Sequence, residues 1–413
     1  MLSPYRVLDL TDERGLLCGQ VLGDLGADVL RVEPPGGSPA RRLGPFYKDE
    51  PHPERSLYWW AFNRNKRGVT LDVTRDEGRT LLLRLVERAD FLIESDPPGA
   101  MAKRGLGYDD LAAVNPALVY VSISPFGQDG PKAHYAASDL TVWAAAGPLA
   151  LTGDHDRPPV RLSVPQSFLH AGAEAAVGAL VALFERHRSG RGQHVDVSAQ
   201  QAVNQATFAS SLQAALGFKE SGRVAGGVRY GPMKMRWVFP AKDGYVAVSL
   251  LFGSAAGPMT RRLMECIHEE GGCDEATRDK DWIGYTELVF SGKEPVEEYE
   301  RVKEVVAGFT ATKTKAELLQ AALERGLLIA PVATLDEVAA SEQLAAREYW
   351  RDVEQPEAGE TLRHPGPFAR FSATPIAYRR PAPRIGAHNR EVYVDELGLS
   401  EGELARLQRE GIV

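Results

Sequence analysis

Asp139 and His170 are the residues in this chain best suited by type and surroundings to act as an acid or a base. Asp139 lies in YAASDLTVWAAAGPLALTG, a run of apolar and small side chains. A lone carboxylate there either caps a helix after Ser138 or lines a site, and burial without a compensating donor would raise its pKa. His170 falls in RLSVPQSFLHAG (Arg161 to Gly172), between Leu169 and Ala171. A satisfied core histidine and a general base are its two readings. The same stretch closes a loop and opens a long helix. It holds Gln166 and two serines but no Asp or Glu.

Cations gather at two other places. In IESDPPGAMAKRGLGYDDL (Ile93 to Leu111) a strand ends, a Pro-Pro-Gly turn follows, and a helix start carries Lys103 and Arg104. Ligands of open α/β sheets sit beyond the carboxyl ends of strands, where two cations can pair with a nucleotide phosphate. The plainer reading is a solvated helix face. FNRNKRGVTLDV (Phe62 to Val73) sets Lys66 and Arg67 just before a strand, which fits a phosphate site or an ordinary charged loop. The first βα turn, LTDERGLLCGQ, has no G-x-G-x-x-G and puts Asp12 and Glu13 where pyrophosphate oxygens would approach. That argues against NAD, although Glu33 ends the second strand where a ribose-binding acid can sit. The turn still presents a helix N-terminus and Arg14 to some anion. The sequence has no Gly-x-Ser-x-Gly elbow, His-Glu-x-x-His pair or Walker loop.

Elements that would position these residues follow from the hydrophobic pattern. VLDL (Val7 to Leu10), the helical GLLCGQVLGDLGA (Gly15 to Ala27) and DVLRVE (Asp28 to Glu33) form a βαβ unit, hence a parallel sheet with a right-handed crossover. GVTLDV (Gly68 to Val73), a helix over Glu77 to Ala89, DFLIES (Asp90 to Ser95) and LVYVSISPFG (Leu118 to Gly127) continue the alternation. The fold class is α/β with an open sheet. A long helix from Ala173 stops at Gly190 with basic residues in its last turn, and HVDVS (His194 to Ser198) returns as a strand before another helix. Near Gly217 the character changes. KESGRVAGGVRYGP is Gly-rich and basic, which predicts a surface loop. WVFPAKDGYVAVSL predicts a hairpin around Lys242-Asp243-Gly244, and a charged helical stretch over residues 253–328 predicts a second, smaller domain. The Pro-rich HPGPFARFSATPIAYRRPAPRIGAHN (His364 to Asn389) reads as extended, able to cross a surface or a partner chain, and EGELARLQREG is a final helix.

Composition sets limits on this reading. At 413 residues the chain is long enough for two or three domains, on a prior of roughly 150 residues each. A net charge of −8 argues weakly against a nucleic-acid surface. No consecutive apolar run reaches the ~18 residues of a membrane span, so no membrane partner is expected, and MLSPYRVLDL does not read as a signal peptide. Cys18, Cys266 and Cys273 have no CxxC spacing. Structural zinc is not expected, and a reducing cytoplasm is the simplest location.

Taken in order, the motifs resemble the class III CoA-transferase family, which includes formyl-CoA transferase, carnitine CoA-transferase and the α-methylacyl-CoA racemases. GQVLGDLGADVLRVEPPGG is similar to the family's opening unit, SLYWWAFNRNKRGVTLDV to its Asn-Lys-Arg signature, and DPPGAMAKRGLGYDDL to its Pro-Gly…Arg-Leu-Gly segment. SISPFGQDGP, RHRSGRGQHVDVS, APVATLDEV and RPAPRIGAHN follow in order and spacing. Each is weak alone, and seven in sequence are specific.

The resemblance implies a Rossmann-like large domain built from N- and C-terminal segments with a small domain inserted, in an interlocked dimer. The boundaries expected are 1–215, 216–335 and 336–413. Coenzyme A would bind through Glu13, Arg14, Leu71, Ser95, Asp96, Lys103 and Arg104. Lys103 takes the place of the family's phosphate-binding Arg, which keeps the charge and loses the bidentate fork. In the family an Asp attacks the acyl-CoA thioester to give a mixed anhydride, the released CoA thiolate returns to form an aspartyl-CoA thioester, and a second acid takes over the CoA. The position of that Asp falls here on Phe168, or on Gln166 with a small shift, and neither forms an anhydride. The racemase His-Asp pair reads Ser138-Asp139. Three expectations follow. In a CoA-transferase, acyl-CoA and a carboxylic acid would be the substrates, and either Asp139 would supply the carboxylate or an unusual route would avoid it. In another acyl-CoA reaction (hydrolysis, elimination or isomerisation), Asp139 or His170 would be the base and Gln166 would hold the thioester carbonyl. In a non-catalytic CoA-binding subunit, a companion would retain the Asp. Asp139, Gln166 and His170 are thus the catalytic candidates, no metal is implied, and homodimer and heteromer both stay open. Gly222 to Gly231 is the nearest counterpart of the family's mobile glycine-rich cover.

Overall fold

Strands buried on both faces need helices on both faces, and the strand residues here divide accordingly. The computed structural model describes residues 1–217 and 222–413. In it β1 (Arg6–Asp9), β2 (Asp28–Glu33), β3 (Lys66–Thr70), β4 (Phe91–Glu94), β5 (Val119–Ser124) and β6 (His194–Ser198) form one parallel sheet. Their order is β3-β2-β1-β4-β5-β6. Val7, Val29, Ile93 and Val121 enter one core with Cys18 and Leu22 of α1 (Leu16–Asp24). Leu8, Leu30, Leu92 and Tyr120 enter the other, where they meet Leu82 and Leu85 of a later helix and Tyr393 and Leu407 from the end of the chain.

Short helices carry the connections: α2 (Leu57–Asn63), α3 (Asp76–Val86), α4 (Ala100–Lys103), α5 (Tyr108–Val114) and α6 (Asp139–Ala145). The long α7 (Ser167–Ser189) and then α8 (Ala199–Asn204) flank β6. By length and composition α7 could cross a membrane, a helix that a search for consecutive apolar residues passes over. Its face of Ala171, Ala175, Ala179 and Ala182 is buried in the first core. Gly172 lies against α1, where a Cβ would stand 2.9 Å from the Leu17 Cβ. The strand boundaries match the sequence pattern closely, except that β3 runs over Lys66–Thr70 rather than Gly68 to Val73. Helix α7 begins six residues before the expected Ala173.

Two units divide the chain. The first comprises residues 1–147, 162–207 and 342–413, and the second residues 148–161 and 208–341. After α9 (Phe208–Ala215), the second unit contains the hairpin β7 (Gly227–Tyr230) and β8 (Met233–Arg236). An antiparallel sheet follows, of β9 (Val238–Ala241), β10 (Gly244–Val248) and β11 (Ile329–Pro331). Its helices are α10 (Gly253–Glu269), α11 (Glu275–Arg278), α12 (Tyr285–Phe290), α13 (Val296–Ala311) and α14 (Lys315–Arg325). Phe239, Val246, Met264, Trp282 and Tyr299 lie in their common core. The hairpin expected at Lys242-Asp243-Gly244 is present. Of the Gly-rich stretch expected as a loop, residues 222–226 are loop and turn, while Gly227–Tyr230 form strand β7, because that backbone finds a partner in the next strand. Lys219 to Ser221 of that stretch lie outside the described residues.

Candidate active site

The strand order reverses between β1 and β4, so the carboxyl ends of β1 to β4 surround a switch-point crevice, the usual ligand position in such sheets. A cleft of about 200 Å³ lies there. Leu10, Leu71 and Met101 give it apolar walls, and Arg104 gives it a cation. Arg104 pairs with Asp96, whose N–H donates to Glu94 Oε2 at 2.6 Å. Burial drives Glu94 up to about 7, against the lowering effect of hydrogen bonds from Ser122 and the Asp96 backbone. Lys103 is exposed on α4 and does not line this cleft.

One carboxylate organises the first loop. Asp12 receives the Arg14 guanidinium, with Nε at 2.9 Å from Oδ1 and Nη2 at 2.5 Å from Oδ2. The Ser95 hydroxyl donates to Asp12 Oδ1 at 2.9 Å and accepts from the Asp12 N–H at 2.9 Å. Burial opposes the charge on Asp12, but the bonds from Arg14 and Ser95 more than offset it and hold the carboxyl below its usual range. The loop after β1 is thereby tied to the end of β4.

A second group lies at the head of α7. Asp139 Oδ1 accepts from the backbone N–H groups of Gln166 and Ser167, both at 2.7 Å, and the Ser167 hydroxyl donates to the Asp139 carbonyl at 2.9 Å. This explains the early start of α7. Its first residues have no side-chain cap of their own, and a carboxylate from another segment satisfies the orphan donors. Asp139 Oδ2 has no hydrogen-bond partner among the described residues, and Asp139 is half-buried. One turn into α7, the His170 ring lies 6.0 Å from that of Trp143. The buried Trp143 Nε1 has no hydrogen-bond partner among the described residues.

Tyr58 of α2 links the two groups. Its hydroxyl donates to the Glu13 carbonyl at 3.2 Å. Burial, followed by the charges of Glu13, Asp12 and Asp139, pushes the phenol up to about 12. The structure therefore gathers Leu71, Asp96 and Arg104 at the cleft, joins Arg14 and Ser95 through Asp12, and brings Asp139 with Gln166 to the head of α7. Glu13 stands between them, and Lys103 stands apart. Asp12, Tyr58 and Glu94 belong to this constellation and were not singled out as ligands by the sequence. Asp12 and Glu94 each follow or end a strand beside the switch point, which is the signal that would have found them.

Two other sequence candidates are structural. Lys66 is fully buried, its Nζ donating to Asp9 Oδ2 at 2.8 Å. Arg67 pairs with Asp28, Glu391 and Glu396. The phosphate reading of that segment gives way to internal ion pairs. Glu33 holds Arg41 through both oxygens, at 2.7 and 2.8 Å, so it has no free edge for a ribose. Among the described residues no group of three or more His, Cys, Asp and Glu is arranged to hold a metal.

Comparison with known proteins adds a family. The profile of CoA-transferase family III matches residues 2–389. The chain is 35% identical over 415 residues to the succinyl-CoA:(R)-benzylsuccinate CoA-transferase subunit BbsE of Thauera aromatica, covering all of this chain and 98% of that one. It is 33% identical over 418 residues to the succinyl-CoA–D-citramalate CoA-transferase of Chloroflexus aurantiacus, again over all of this chain and 98% of the relative. Among solved structures, a CAIB/BAIF family protein from Brucella suis superposes with a TM-score of 0.79 at 28% identity, over 95% of this chain and 98% of that one.

Proposed function

The chain belongs to CoA-transferase family III, and from that premise we propose that it is one subunit of a heteromeric enzyme moving CoA from succinyl-CoA to a second organic acid. CoA transfer between carboxylic acids through acyl-CoA thioesters is its reaction. The finer assignment is that CoA lies in the cleft beyond β1 to β4, its adenine between Leu71 and Met101 and a phosphate on Arg104. The carboxylate that takes the acyl group comes from a companion chain. One observation carries this reading: residues 161–172 contain no acid, and the carboxylate that reaches the head of α7, Asp139, has Oδ1 held by two backbone N–H groups. The name of the Thauera relative, a subunit, supports a companion. So does the outer face of α7, where Val177, Val181 and Phe184 recur at helical spacing and are exposed. Three free thiols support a cytoplasmic location.

The test is purification of the native enzyme with isotope exchange between labelled succinate and succinyl-CoA as the readout. A second family III chain should co-purify with the activity, and separating the two should abolish it. Exchange by this chain alone would overturn the companion carboxylate. One observation favours that second reading. Asp139 Oδ2 is uncommitted among the described residues, and Asp139 is among the charges bearing on Tyr58 beside the first loop. Hydroxylamine trapping with acyl-CoA would then mark Asp139.

The cleft also predicts a pH dependence. Glu94 is neutral below about pH 7 and ionised above it, and CoA is a phosphate polyanion. Deprotonation adds a negative charge beside the ligand, so the Kd for CoA is expected to rise about three- to tenfold between pH 6 and pH 8 at low salt. Calorimetry on Glu94→Gln should show a flatter profile. A profile unchanged by the substitution would mean that CoA does not sit beside Glu94.

A further inference from the structure

The second unit carries a cleft of its own, of about 520 Å³. Four cations line it, Arg157, Lys234, Arg236 and Lys303, with one carboxylate, Asp154, which pairs with Arg157 and leaves Lys234 and Arg236 without a carboxylate partner among the described residues. This is unusual in a chain with 48 basic and 56 acidic residues. Like charges brought together raise the free energy of the empty site, and an anion lowers it again.

The cations are fixed in different ways. Lys303 on α13 is buried, and its Nζ donates to the Lys234 carbonyl at 2.9 Å and pairs with Glu300 at 2.7 Å. Arg236, at the end of β8, donates through Nε to the Val238 carbonyl at 2.7 Å, and its guanidinium stands 5.1 Å from the Phe239 ring centre. Those two contacts set the direction of the fork, and no carboxylate pairs with it among the described residues. Lys234 Nζ lies 3.3 Å from His155 Nε2, a neighbour that leaves the positive charge uncompensated. The loop forming the opposite wall is clamped. Arg223 donates to the carbonyls of Asp154 at 3.0 Å, Arg157 at 2.9 Å and Ala150 at 3.4 Å. Between the charges, Val224 and Val238 give apolar surface.

We propose that this cleft binds a small dicarboxylate, one carboxylate on the Arg236 fork and the other among Lys234, Lys303 and Arg157, with its hydrocarbon chain against Val224 and Val238. A planar fork suits a carboxylate in two-point contact, and apolar surface between cations suits a carbon chain better than a phosphate. The proposal rests on the reading of the chain as a transferase of dicarboxylic acids, and it assigns recognition of the free acid to the second unit.

The experiment is direct titration of the purified protein with succinate, glutarate, butyrate and inorganic phosphate, followed calorimetrically without any CoA compound. Succinate and glutarate are expected to bind, butyrate at least tenfold more weakly, with affinity falling as salt is added. Arg236→Gln and Lys234→Gln should each weaken succinate at least tenfold while CoA binding stays unchanged, which also certifies the fold of the variants. No succinate binding, succinate binding indifferent to both substitutions, or phosphate binding as tightly as succinate would each overturn the proposal. Because no transfer is measured, a failed transferase assay leaves this result standing, and the reverse holds as well.

Discussion

Lys66→Ala is expected to lower the unfolding free energy by about 3–5 kcal/mol, the cost of removing one partner from a buried ion pair. Lys66 Nζ uses all three protons, on Asp9 Oδ2 at 2.8 Å, the Leu16 carbonyl at 3.0 Å and Asn63 Oδ1 at 3.1 Å. Asp9 Oδ1 is held separately by Arg31 at 3.0 Å and by the Thr11 N–H and hydroxyl. Helix α1 lies directly on this carboxylate, since a Cβ on Gly19 would stand 2.3 Å from Asp9 Oδ2. Burial pushes Asp9 up, but Lys66 and Arg31 more than offset it and hold Asp9 below its ordinary value. The folded state then binds that proton less tightly than the unfolded chain. The stabilisation is present above about pH 4 and is lost as the pH falls through the depressed value. In the variant Asp9 keeps Arg31 and Thr11 but loses Lys66, the stronger of its two cationic partners, so its pKa rises relative to wild type. The deficit against wild type should therefore be largest at pH 7 and shrink toward pH 4.5. Urea denaturation at both pH values measures it, and Lys66→Met separates charge from volume. A loss under 1 kcal/mol at pH 7, or one that grows on acidification, would show that the pair does not hold the sheet to α1.

This network also shows what sequence can and cannot convey. The strands and their helices were legible because burial on both faces writes long apolar runs, and HVDVS and DVLRVE have the observed limits. The cations of FNRNKRG were visible as cations, but their partners were not. Arg64 and Asn65 reach Asp24, Lys66 reaches Asp9, and Arg67 reaches Asp28. Nothing local distinguishes those pairings from a phosphate site. Leu71, Asp96 and Arg104 were placed through the family resemblance, which carries strand-end positions from one chain to another. In the sequence Asp12 stands as an obstacle to pyrophosphate, and its bond to Ser95 is not legible there because it joins residues 83 apart. The start of α7 was hidden for the same reason. Local capping signals are missing at Gln166, and the carboxylate that replaces them belongs to α6.

Asp139 gives the second large effect, and two substitutions there have opposite expected results. Asp139→Asn keeps a carbonyl oxygen in the place of Oδ1, able to accept from both Gln166 and Ser167. Helix α7 should keep its first turn, and, with the acyl-accepting carboxylate on a companion chain as proposed, CoA exchange in the assembled enzyme should stay within about threefold of wild type, since the geometry is retained. Asp139→Ala removes the acceptor. Two N–H groups at the positive end of a 23-residue helix then lose a charge-assisted partner. The expected cost is about 2 kcal/mol, moderated by partial exposure. Exchange should fall at least tenfold as Gln166 and Ser167 leave their positions, with CoA affinity nearly unchanged because the cleft of Leu71 and Arg104 is built on other strands. The contrast is the test. Loss of exchange by three orders of magnitude in Asp139→Asn, with CoA binding and melting temperature intact, would identify Asp139 as the acyl-accepting nucleophile and remove the need for a companion carboxylate. Near-normal exchange in Asn with a defect in Ala would make it the anchor of α7, a positioning residue acting through the backbone it holds.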